Sequence, residues 1–69
     1  MPYINVKVGG PLTREQRKTI VKEFAETLSR VAGKNIATVY TVIDEVDRDY
    51  WGVGDELLTD KDNKLKAEK

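Results

Sequence analysis

The feature that most restricts this chain is the order of three patterned segments near its start. From Tyr3 to Val8 the residues alternate, with Ile4, Val6 and Val8 on one parity and Tyr3, Asn5 and Lys7 on the other. Period-two alternation reads as a half-buried strand with its aliphatic face against a helix. Gly9, Gly10 and Pro11 then end it. Thr13-Arg14-Glu15-Gln16 has the pattern of a capping box, in which Thr13 and Gln16 satisfy each other's backbone N–H groups. Ile20, Val21, Phe24, Ala25, Leu28, Val31 and Ala32 follow at steps that place them on one helix face. Gly33 stands where such a helix wants a left-handed residue. The spacing predicts a helix from about Arg14 to Ala32. Val39 to Val46 is rich in β-branched residues and apolar on both parities at its start, which suits a strand covered on both faces. Strand–helix–strand implies a right-handed crossover and a parallel strand pair. The fold class is therefore α/β (α+β), built on a β-α-β unit. One helix covers one face of a two-stranded sheet, so the other face calls for a second subunit.

Composition strengthens that expectation. The chain has 69 residues and neither cysteine nor histidine. A domain of this size buries only about 60% of the surface of its unfolded chain and often needs staples or partners. Disulfides are excluded, and a structural zinc site lacks its usual ligands. Twelve basic residues balance twelve acidic ones, so nothing electrostatic points to nucleic acid. No apolar run is long enough to span a membrane, and the first residues lack the pattern of a signal peptide. The cytoplasm is the expected location. Asp44, Glu45, Asp47 and Asp49 form an acidic cluster, but counting from Asp44 places Glu56 at position thirteen, one past the glutamate of a calcium loop. No metal is expected. Asp49 to Gly54 reads as a turn and short hairpin, and its Gly52-Val53-Gly54 as a turn rather than a phosphate loop. Asp60 to Lys69 is polar and lysine-rich, with Leu65 its one sizeable apolar residue. The expected organisation is one domain over 1–58 and a polar tail over 59–69.

The available chemistry is narrowed by subtraction. Without histidine the commonest general base is missing, and without cysteine so is the thiolate nucleophile. Carboxylates, lysines and tyrosines titrate far from neutrality unless strongly perturbed. An α-amino group titrates near neutrality with little help. The second residue is Pro2, and an initiator methionine is usually removed ahead of a small residue. The new terminus is a secondary amine. In an apolar pocket its charged form is disfavoured, and the neutral amine becomes a general base matched to pH 7.

These residues together resemble the 4-oxalocrotonate tautomerase superfamily in its short-chain form. The resemblance runs from about Pro2 to Leu58. It rests on Met-Pro before an alternating strand and on a Gly-rich loop leading into Thr-Arg-Glu-Gln-Arg and a long amphipathic helix. It rests also on a strand ending Val42-Ile43-Asp44-Glu45-Val46, and on an aromatic followed by Gly52-Val53-Gly54-Asp55-Glu56-Leu57. The resemblance implies a β-α-β fold whose sheets are completed by dimerisation, and three dimers forming a homohexamer. It implies an isomerase without cofactor or metal, in which the amino-terminal proline moves a proton to interconvert enol and ketone. The substrate would be a small 2-hydroxy-dienoate or 2-oxo acid.

Carried across residue by residue, Pro2 matches the catalytic proline and Trp51 the aromatic that keeps it dry. The family's two arginines are absent: Leu12 holds the place of the first and Tyr40 that of the second. Arg14 is the candidate to bind a substrate carboxylate, helped by the helix N-terminus. The Tyr40 hydroxyl is the candidate donor to a developing enolate. Arg14 as a solvated first-turn residue and Tyr40 as a packing residue are the plain readings beside these. Two other functions stay open: a hydratase- or dehalogenase-type reaction with protonated proline as acid, and an oligomeric binding protein without turnover.

Overall fold

The computed structural model describes residues 1–67. Strand β1 (Tyr3–Val8) leads through residues 9–13 into helix α1 (Arg14–Ala32), and a short 3₁₀ turn over Ile36–Thr38 precedes strand β2 (Tyr40–Glu45). A second 3₁₀ turn (Arg48–Tyr50) is followed by the two-residue strands β3 (Gly52–Val53) and β4 (Glu56–Leu57), then by helix α2 (Leu58–Ala67). β1 and β2 are parallel neighbours, with Tyr3 opposite Tyr40 and Val8 opposite Glu45. β3 and β4 form an antiparallel hairpin closed by Gly54 and Asp55. The β-α-β unit and the C-terminal hairpin are thus as the sequence implies.

Local chemistry sets the helix ends. The Thr13 hydroxyl accepts from the Gln16 N–H at 3.1 Å, and the Gln16 side chain accepts from the Thr13 N–H at 2.8 Å. At the other end Gly33 adopts φ 67°, and its N–H reaches back to the carbonyls of the last turn. That left-handed conformation costs a residue with a Cβ roughly 1–2 kcal/mol.

Packing is one-sided. Ile4, Val6 and Val8 are half-buried, as are Thr41 and Ile43 of β2, on the face that α1 covers. The opposite face presents Tyr3, Asn5, Lys7, Tyr40, Val42 and Asp44. Among the described residues only Ala25 is buried. Tyr40 is 55% and Val42 43% exposed, and Val21, Phe24 and Val31 of α1 are exposed too, so the apolar stripe of the helix is wider than two strands can cover. The chain exposes 5498 Å², against about 4,400 Å² for a folded monomer of its mass. Its radius of gyration is 16.1 Å, where a globule of this length has about 11 Å.

The polar tail expected over 59–69 overlaps α2. Up to Ala67 it is helical, while positions 68 and 69 lie outside the described residues. Two ion pairs tie it to the rest of the chain. Asp62 pairs with Arg48, and Lys64 pairs with Glu56. Such pairing leaves no hydrophobic period to read in the sequence.

Candidate active site

Pro2 lies immediately before β1. Its carbonyl accepts a hydrogen bond from the Tyr40 N–H at 3.0 Å, which ties it to the start of β2. Proline donates no hydrogen bond, so the position before the first strand residue suits it. Pro2 is half-buried whereas Met1 is 90% exposed, so removing Met1 disrupts no packing. Tyr40 therefore shares one end of the sheet with Pro2, and its own side chain belongs to the face away from α1.

The other candidates stand at the opposite end. Trp51 packs beside Gly9, just past β1: a Cβ built on Gly9 would meet Trp51 Cε3 at 3.5 Å. From Pro2 to Gly9 an extended chain spans about 23 Å. One copy therefore does not bring Pro2 and Trp51 together. Arg14 opens α1 on the same side as Trp51, because the helix follows the loop that leaves β1. It is exposed and borders an open depression of about 370 Å³ with Arg17, Lys18, Val21 and Lys22.

The loop holding Leu12 is pinned by Glu45 and Arg17, a role the sequence did not assign to either. Glu45 Oε1 accepts from the Leu12 N–H at 2.9 Å and from Arg17 Nη1 at 3.0 Å, and Arg17 also donates to the Leu12 carbonyl at 2.7 Å. The Leu12 N–H, with Arg17 second, holds the Glu45 carboxyl below its ordinary value. One sign was readable: Glu45 is a charge on the strand parity shared by Thr41 and Ile43. Such a group is expected to find partners at the helix start.

Two more residues of the acidic cluster, Asp44 and Asp47, have structural partners as well. Asp44 accepts from Lys7 at 2.7 Å and from Asn5 at 3.2 Å on the open sheet face. The hydrogen bond from Lys7, then that from Asn5, lowers its pKa. Asp47 accepts from the Asp49 N–H at 2.8 Å and caps the second 3₁₀ turn. No local sequence signal marked Arg48, whose guanidinium joins Asp62 to the Gly9 carbonyl.

Comparison with known proteins bears on this arrangement. The protein family described as "Tautomerase enzyme" matches residues 2–61. "Probable tautomerase K2" of Dickeya dadantii is 37% identical over 62 residues, which cover 88% of this chain and 92% of that one. "2-Hydroxymuconate tautomerase" of Bacillus subtilis is 28% identical over 60 residues, covering 87% and 97%. The crystal structure of DmpI from Helicobacter pylori superposes with a TM-score of 0.84 at 29% identity, covering 90% of this chain and 97% of that one.

Proposed function

The chain belongs to the tautomerase family, and from that premise we propose that it is a cofactor-independent keto–enol tautomerase with the Pro2 amine as general base. The observation that carries this reading is the setting of Pro2, held by the Tyr40 N–H beside an exposed, dispensable Met1. With Met1 gone, the nitrogen is a secondary amine with a free lone pair. Partial desolvation favours its neutral form near pH 7.

The proposed substrate is a small 2-hydroxy-dienoate or 2-oxo acid, in keeping with the name of the 2-hydroxymuconate relative. The proline nitrogen takes the proton of the 2-hydroxyl. The electron pair of the broken O–H bond forms the carbonyl, and the C=C π pair shifts along the conjugated carbons. The protonated amine then returns the proton to carbon, so atoms and charge balance without an added reactant. Tyr40, at the Pro2 end, donates to the oxygen that carries the developing charge. Because Trp51 and Arg14 lie at the other end of the sheet, another copy supplies them. The pocket is completed by self-association, for which a homohexamer built of dimers is proposed.

The test is the enol-to-ketone conversion of phenylenolpyruvate or 2-hydroxymuconate, followed by ultraviolet absorbance. Pro2→Ala is expected to lower turnover by at least about a hundredfold, and intact mass to show the loss of one methionine. Undiminished turnover in Pro2→Ala refutes the mechanism. Arg14→Ala is expected to raise KM with kcat little changed, the signature of binding made equally in ground and transition states.

A further inference from the structure

We propose that the Arg48–Asp62 ion pair is a positioning device that fixes the Trp51 indole, and through it keeps the Pro2 pocket of a neighbouring copy dry. The inference rests on the reading of Trp51 as a pocket wall. Every branch of the Arg48 guanidinium is engaged. Nε donates to Asp62 Oδ2 at 2.5 Å, Nη2 to Asp62 Oδ1 at 3.0 Å, and Nη1 to the Gly9 carbonyl at 2.7 Å. A two-pronged arginine–carboxylate pair fixes direction as well as distance. One side chain thus joins the end of β1, the 3₁₀ turn before Trp51, and α2.

Trp51 sits inside this clamp. Its backbone N–H donates to the Arg48 carbonyl at 3.4 Å, and its backbone carbonyl accepts from the Leu58 N–H at 2.8 Å. Leu58 and Asp62 are four residues apart on α2, so they share a helix face. Arg48 Nη1, Trp51 Cε3 and Leu58 Cδ1 all lie within 3.6 Å of the point where a Cβ on Gly9 would be. The indole edge, the Arg48 guanidinium and the Leu58 side chain therefore converge on Gly9. The stretch matched by the tautomerase family ends at residue 61, one short of the carboxylate that closes the clamp. α2 is in this way coupled to the wall of the active site without touching substrate.

The chain has one tryptophan, so fluorescence reads Trp51 alone. The assembled protein is compared as wild type, Asp62→Ala, Asp62→Asn, Asp62→Glu and Trp51→Ala. Asp62→Ala is expected to red-shift the emission and to raise acrylamide quenching about twofold. Water reaching Pro2 should then raise the pKa of its amine. The acid limb of the kcat/KM profile accordingly moves to higher pH by about one unit, as in Trp51→Ala. Asp62→Glu should restore much of both signals, and Asp62→Asn should fall between. Asp62→Ala added to Trp51→Ala should shift the acid limb no further, because both act through the same indole. If Asp62→Ala fails to assemble, the Asn and Glu variants decide the question by the same readouts. Unchanged quenching, or changed quenching with an unmoved acid limb, overturns the proposal. Pro2→Ala separates the two failures: if it abolishes turnover while Asp62 variants change nothing, only the positioning role is lost.

Discussion

Replacing Val42 with aspartate tests whether copies of the chain meet on the sheet face that α1 leaves open. Val42 lies at the middle of that face, with Asn5 as its cross-strand partner and Asp44 two residues along. It is 43% exposed in the single chain. Full burial of a valine side chain is worth about 1.5–3 kcal/mol, so covering the exposed part contributes roughly 1 kcal/mol per copy. In a two-fold interface both copies lose it, which is roughly 2 kcal/mol or about a thirtyfold rise in dissociation constant. That is a lower bound. The new carboxylate would be taken out of water near Asp44, and an uncompensated buried charge costs several kcal/mol more. The surface that a single chain exposes beyond a compact monomer, roughly 1,100 Å² by the same mass scaling, is enough for each copy to supply one side of a stable interface. The assay is sedimentation velocity over a concentration series, with far-UV circular dichroism on the same samples. The expected result is a shift to smaller species at concentrations where the wild type is fully assembled. A loss of helicity that reverses on concentrating the sample would also fit, because burial on assembly then stabilises the fold. A Val42→Asp protein that keeps the wild-type mass and dissociation constant refutes the argument and moves the contact to another surface.

The remaining predictions concern the helix ends and the loop before α1. Thr13→Ala removes a reciprocal cap and should cost about 1 kcal/mol, read as a fall in Tm of several degrees at fixed protein concentration. Gly33→Ala places a Cβ at φ 67° and should destabilise by about 1 kcal/mol, checked by urea denaturation with an unchanged m-value. Glu45 titrates below its ordinary value of 4.5, so its contribution is complete above that value and is lost as pH falls through the lower folded one. The unfolding midpoint of the wild type should therefore drop more steeply than that of Glu45→Gln as pH falls from about 5 to about 3. Parallel curves would mean that the loop does not depend on the carboxylate.

What the sequence determined about this protein was local. The alternation over Tyr3–Val8, the box of Thr13 and Gln16, and Gly33 mark elements through interactions only a few residues apart, and the structure realises each of them. The parallel pairing followed from chain order and the handedness of crossovers. Pro2 stood out as the candidate base because nothing else in the composition titrates suitably near neutrality. The tertiary structure decided how the candidates are distributed: Pro2 and Tyr40 at one end of the sheet, Trp51 and Arg14 at the other. Sequence distance could not show this, because a strand carries its two ends far apart while a helix returns the chain between them. The helical state of residues 58–67 was hidden for a related reason. Arg48 meets Asp62 14 residues away and Gly9 39 away, and Arg17 meets Glu45 across 28. Charge pairs over such separations leave no periodic trace; only the folded chain brings the partners within hydrogen-bonding distance.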